Sequence, residues 1–166
     1  LNSLDFAPIA RMQAEGQWRE AGAVLANAAQ ALERAGADVI AIGANTMHKV
    51  AEQVKASVAI PLLHIGDALV TELRRDARTL PLLLGTRYTM EDPFLTGHLE
   101  RRGIGPVTPD RDDRDALHAI IYGELIHGVG TGEARATERA IRRRPLAREA
   151  AGGTFRCPET SMRLPP

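Results

Sequence analysis

Apolar positions along this chain fall into two alternating rhythms. Over residues 18–35 they recur at Val24, Leu25, Ala28, Ala29 and Leu32. Spacings of three and four lay them on one helix face, and Gly36 predicts the stop. Residues 38–43, Asp-Val-Ile-Ala-Ile-Gly, instead form a continuous apolar run of strand length. That is the pattern of a strand buried on both faces. The alternation then repeats. A short helix is predicted over residues 48–56, a strand over 60–65 and a helix over 67–76. Pro61 stands at the start of that strand, where a missing N–H is tolerated. Residues 80–85 predict a third strand. Glu91 or Asp92 opens a helix that ends at Gly103, and Asp110 or Asp112 caps a longer one through Ile120, Ile121 and Leu125. Glu133 onward predicts helix until Pro145, which ends or kinks it. Residues 152–156 form a weaker strand just before Cys157.

Continuous apolar strands alternating with helices predict an α/β fold, with mostly parallel sheets flanked by helices. Residues 76–79 mark a boundary between two lobes, 1–77 and 78–166. Open sheets of this kind bind ligands at the carboxyl ends of their strands. Three turns stand at such ends: Ala44-Asn45-Thr46, Gly85-Thr86-Arg87-Tyr88-Thr89, and the turn at Cys157. Turns from two lobes facing each other across a cleft are suited to moving a proton on either face of a small carbon acid.

Composition narrows the choice. The chain has 166 residues, 44% hydrophobic and 25% charged, which places it with globular rather than disordered chains. Lys+Arg and Asp+Glu balance at 21 each, so no global field recruits nucleic acid or an anionic membrane. The basic run Arg142-Arg143-Arg144 with Arg148 is expected to be a solvated helix face. A single cysteine excludes an internal disulfide and a multi-cysteine metal centre, and points to a reducing, cytoplasmic setting. His64, His98, His118 and His127 lack metal-ligand spacing. No apolar run approaches the ~20 residues of a membrane span. Gly128-Val129-Gly130-Thr131-Gly132 lacks the Lys-Ser/Thr of a phosphate loop and is expected to connect two helices. The chain begins at Leu1, and its first element is already mid-pattern, as in a fragment.

The turns hold the candidate chemistry. Asn45 and Thr46 supply an amide and a hydroxyl suited to a carboxylate, and both are also ordinary helix caps. Thr86 and Thr89 carry the same two meanings. Cys157, at a strand end, can be a thiolate acid/base or an inert buried thiol. His48 is a packing or surface residue, or a support for the site from behind. Ser3 and Ser161 have no evident His–Asp partners, which leaves a hydrolase triad unsupported.

Taken together these stretches resemble the aspartate/glutamate racemase family of cofactor-independent amino-acid racemases. The resemblance is carried by Asn2-Ser3-Leu4-Asp5-Phe6, residues 13–18, Arg34-Ala35-Gly36-Ala37, Asn45-Thr46-Met47-His48-Lys49-Val50 and Leu63-His64-Ile65. It continues through Leu83-Leu84-Gly85-Thr86-Arg87-Tyr88-Thr89-Met90 and Ile120-Ile121-Tyr122-Gly123-Glu124-Leu125. It implies two similar α/β lobes with the site between them, a homodimer, no cofactor, no metal, and aspartate or glutamate as substrate. It also implies two acid/base residues, one per lobe. The second falls on Cys157; the first, a Cys or Thr in the family, falls on Ala44. Gln13, Asn45, Thr46, Thr86, Thr89 and Glu159 would then lie at or near the substrate.

The departures cluster at those positions. Ala44 has no ionisable group. Arg156 stands where the family motif Gly-Cys-Thr-Glu has glycine, and Pro158 lacks the N–H and hydroxyl of the motif's threonine. The family's glycine-rich N-terminal strand and its C-terminal part are expected to be missing. Three readings follow: a racemase impaired by Ala44 and Pro158, a one-cysteine decarboxylase of the arylmalonate type, and an inactive remnant that binds a dicarboxylate.

Overall fold

In the computed structural model, which describes residues 1–144 and the backbone of residues 154–156, helices alternate with short parallel strands. Two units divide the chain, one of Leu1–Gly43 with Met47–Ile65, the other of Ala44–Thr46 with the residues from Gly66 onward.

The first unit opens with α1 (Phe6–Ala14), an element the apolar pattern leaves unmarked. Its start is nevertheless written in the chain, because Asp5 accepts the Ala7 N–H at 3.1 Å. Pro8 falls in the first turn, where no acceptor waits for its missing N–H. The long helix α2 (Trp18–Arg34) follows, and it packs on α1 and on α3 (Ala51–Lys55). Its buried face runs through Ala21, Gly22, Leu25, Ala26 and Ala29. That face is rotated from the expected stripe, and Val24, Ala28 and Leu32 fall at its half-buried margin. Gly36 closes the helix at φ 89°. A 3-10 turn (Thr46–Val50) precedes α3 where continuous helix was expected.

Strands β1 (Ile40–Ala41) and β2 (Leu62–Leu63) pair in parallel, Ile40 opposite Leu62. Both are shorter than the apolar runs that predict them. They are also less covered. Ile40 is buried, but Val39 is 42% and Leu63 61% exposed. Burial therefore alternates along β1, as on a sheet covered on one face only. Glu33 of α2 braces the approach to β2, its Oε1 accepting the Ala59 N–H at 2.7 Å and the Ile60 N–H at 3.2 Å.

In the second unit β3 (Leu82–Leu84) meets the two-face expectation, with Leu82, Leu83 and Leu84 all buried. It pairs in parallel with β4 (Thr154–Arg156), Leu84 opposite Arg156. Val107 joins the other side through a parallel bridge to Leu82. The helices that accompany β3 along the chain are α4 (Ile65–Arg75), α5 (Arg87–Glu91), α6 (Thr96–Glu100), α7 (Arg111–Gly123) and α8 (Gly132–Arg142). Leu82, Leu84, Met90, Leu117 and Ile141 form one packed cluster there. Of the helix expected from Glu91 or Asp92 to Gly103 only α6 forms, because α5 already ends at Glu91, where that helix was to begin. Asp92 is extended at ψ 139°, because Pro93 drives the residue before it out of the helical region. The glycine-rich connection is ordered at its end. Thr131 Oγ1 caps α8 by accepting the Ala134 N–H at 3.1 Å, and donates to Glu124 Oε2 at 2.7 Å.

Candidate active site

The carboxyl end of β3 leads directly into Gly85 and Thr86. Thr86 caps α5, its Oγ1 accepting the Thr89 N–H at 3.2 Å. One turn of helix brings Thr89 back beside it, with the two hydroxyl oxygens 3.1 Å apart. Thr46 completes the group, 2.9 Å from Thr86 Oγ1 and 3.4 Å from Thr89 Oγ1. All three threonines are buried. Each hydroxyl donates one proton and accepts two, so three in mutual contact satisfy one another without any charged group.

Asn45 precedes Thr46 and belongs to the same unit. Its side chain is fully buried, and neither its Oδ1 nor its Nδ2 has a hydrogen-bond partner among the described residues. A buried amide left unpaired costs on the order of 1–3 kcal/mol for each unmet group. Such an expense is characteristic of a group built to meet something else. Ala44, half-buried, begins this three-residue segment. It offers only a methyl group.

The structure thus brings together Thr46, Thr86 and Thr89, positions separated by 40 and 43 residues. Gln13 belongs to the first unit. It is buried and donates from Nε2 to Met47 Sδ at 3.0 Å. Cys157 and Glu159 lie outside the described residues. The strand that leads to Cys157 in the chain, β4, runs parallel to β3, with Arg156 in register with Leu84.

Neighbouring polar residues have structural partners. His48 Nε2 accepts the Ile65 N–H at 3.2 Å, and its ring meets that of His64 edge-on at 4.9 Å. The Lys49 ammonium sits over the Trp18 ring, 4.1 Å from its centroid. Asp67 Oδ1 receives Arg102 Nη2 at 2.7 Å and His98 Nε2 at 2.9 Å. One contact with the turn between Thr86 and Thr89 was not foreseen from sequence. His118 of α7 accepts the Arg87 N–H, the amide that follows Thr86. Its imidazole lies below the usual histidine range, because burial and then the Arg87 guanidinium disfavour its charged form. Nothing in local spacing could have signalled it, since 31 residues separate the partners.

Comparison with known proteins gives this geometry its context. The family model for Asp/Glu/Hydantoin racemases matches residues 1–153. The chain is 41% identical to a candidate Asp/Glu racemase from Yersinia pestis, at a TM-score of 0.84 over 98% of this chain and 71% of that one. An aspartate racemase homologue from Pyrococcus horikoshii OT3 shares 34% identity at a TM-score of 0.75, over 99% of this chain and 70% of its own. The broad specificity amino-acid racemase RacX of Bacillus subtilis (strain 168) is 31% identical over 72 residues. That match takes in 43% of this chain and about a third, 31%, of the length of RacX.

Proposed function

This chain belongs to the Asp/Glu/hydantoin racemase family, and we propose that it binds an acidic amino acid, aspartate or glutamate, at the Thr46–Thr86–Thr89 hydroxyls. The observation that carries this reading is Asn45, fully buried with both side-chain polar atoms unpaired among the described residues. An amide and three hydroxyls together offer donors for a carboxylate without a competing cation. Gln13 and Glu159 are the further contacts implied by the family.

The chemistry proposed is proton exchange at the α-carbon, with Cys157 as its single acid/base. The Cys157 thiolate takes the α-proton to become a thiol, leaving a carbanion stabilised by the adjacent carboxylate. In a two-base racemase an acid on the opposite face then returns a proton and inverts the centre. Ala44 cannot supply one. The thiol therefore returns a proton to the face it came from, and the original enantiomer is regenerated. Loss of a positioned acid/base typically costs about 10²- to 10⁴-fold in rate. Two identical chains per assembly are the arrangement implied by the family.

The test is incubation of L-aspartate in D2O with the protein. Deuterium at Cα is followed by mass spectrometry, and enantiomers by chiral chromatography. The expected outcome is deuterium incorporation with the L configuration kept, abolished by Cys157→Ser. Ala44→Cys should convert that exchange into racemisation. Racemisation by the unaltered chain as fast as exchange would show a second acid/base and overturn the one-sided mechanism. Aspartate binding without any exchange would leave a dicarboxylate-binding protein. The small residue at position 44 also favours a second reading, one-sided decarboxylation of a substituted malonate. Carbon dioxide release from phenylmalonate, with no exchange on aspartate, would establish it.

A further inference from the structure

His118 lies outside the residues that the family resemblance assigns, yet it touches the turn that carries two of the three hydroxyls. The first amides of a helix have no acceptor within it. In α5 the Thr89 amide is taken by Thr86 Oγ1. The Arg87 amide is taken from outside, by His118 Nδ1 on α7 at 3.3 Å. Two aromatic rings contact the imidazole. Tyr88 meets it edge-on at 5.6 Å, and Tyr122 lies tilted against it at 4.6 Å. An Nδ1 that accepts carries no proton, so the hydrogen bond assigns the neutral ring's proton to Nε2.

We propose that His118 is a positioning residue for the hydroxyl site: its neutral Nδ1 holds the Arg87 amide, which fixes the turn from Thr86 to Thr89, and protonation of the ring releases that turn. A protonated Nδ1 is a donor facing a donor, so the same two atoms repel. What the turn binds rests on the function proposed above; how the turn is held does not.

The groups facing the ring are Arg87, Tyr88 and Glu91 from α5, with Asp115 and Tyr122 on α7 itself. Arg87 is matched by Asp115 at 3.3 Å, and Glu91 by Arg114 at 2.8 Å. Burial and Arg87 hold His118 below its ordinary 6.5, against the opposite pull of Asp115 and Glu91. The hydrogen bond is therefore complete above 6.5 and is lost as the pH falls through the lowered value. Aspartate keeps both carboxylates largely ionised down to about pH 5, because its side chain titrates near 3.9. A change in binding over that range belongs to the protein.

The experiment combines amide NMR of the full chain between about pH 8 and 5 with calorimetric titration of L-aspartate at both ends of the range. In the unaltered chain the Arg87 and Thr89 amide resonances should move together with His118. Aspartate affinity should fall about fivefold on acidification, the worth of one ordinary hydrogen bond. His118→Asn offers Oδ1 as an acceptor that does not titrate. Its amide shifts should be flat with pH, and its affinity within about twofold of the unaltered chain at neutral pH. His118→Phe keeps a ring against the tyrosines without an acceptor and should bind weakly at both pH values. An Arg87 amide that does not titrate, or that titrates equally in His118→Asn, overturns the proposal. If Arg87 and Thr89 titrate with His118 but aspartate binds at neither pH, the dicarboxylate reading fails and the positioning role stands.

Discussion

Asn45 is where a single side chain tells most. Its amide is sealed from solvent without a partner among the described residues, so it weakens the fold it sits in. Asn45→Leu, close in shape and free of polar atoms, should leave thermal stability unchanged or raise it. The same change should lower aspartate affinity by at least about tenfold, since each lost hydrogen bond to a charged ligand is worth about 1.5–3 kcal/mol. An amide that merely capped a helix would respond the other way, with lower stability and no change in binding; calorimetry on one variant separates the two. Residue type alone leaves Asn45 open between a helix cap and a carboxylate contact, and only the family resemblance leans to the second. Its burial without a partner among the described residues is a tertiary fact that no sequence pattern states. Thr86 caps α5 and also stands within reach of Thr46. His118 was invisible in the sequence because its link to Arg87 depends on how α7 lies against α5.

Four helix ends share one closure at the scale of the element, and one of the four lacks glycine. Just past α1, α2 and α6 stands a glycine with positive φ: Gly16 and Gly36 directly after the caps Glu15 and Ala35, and Gly103 two residues after Arg101. Each is followed by an amide reaching back to the last turn, as Gln17 N–H does to Met12 O and Ala37 N–H to Leu32 O. The end of α4 has the same bonds, Arg78 N–H to Leu73 O and Ala77 N–H to Arg74 O, but with Ala77 at φ 54°. A left-handed alanine costs roughly 1–2 kcal/mol, partly offset by its stiffer unfolded chain. Ala77→Gly should therefore stabilise the protein by about 0.5–1 kcal/mol, read as a higher urea midpoint at unchanged slope. Gly36 was legible as a stop because glycine and the end of the apolar rhythm coincide. The break at Pro93 was equally available from local chemistry, although the expected helix from Glu91 or Asp92 ran through it. Strand lengths were not legible. A run such as residues 38–43 states which residues can be buried, while hydrogen-bonded pairing covers only Ile40–Ala41.

Charge and surface act at the scale of the whole molecule. With 21 acidic and 21 basic residues the net charge is zero near neutrality, so no long-range repulsion separates copies of the chain. Solubility of this 166-residue chain should pass through a minimum near neutral pH, as light scattering against pH will show. Leu63, 61% exposed, adds an apolar contact to that weak repulsion. Leu63→Lys should raise the concentration at which scattering begins while moving stability by less than about 0.5 kcal/mol, as surface changes generally do. No helix among the described residues is long and apolar enough to cross a membrane. The α/β class was readable from sequence because period and run length are local signals. The union of positions 46, 86 and 89 was not, because spacing says nothing of which distant side chains fold together; only the family motifs pointed to it.

Three hydroxyls in a closed triangle have a consequence for electrostatics. Arranged head to tail, their bond dipoles nearly cancel, and the ring can run in either sense at similar energy. The cluster on its own thus projects little field and holds its protons in two interchangeable orders. Its sides are unequal at 2.9, 3.1 and 3.4 Å, so the weakest link is between Thr46 and Thr89. If the site takes an anion as proposed, the anion would open the ring at that link, turn the freed protons toward itself and end the degeneracy. A neutral molecule of the same shape supplies no charge to offset the broken contact. Selectivity for anions can then arise from a cluster that carries no charge, through the polarisation the guest itself induces.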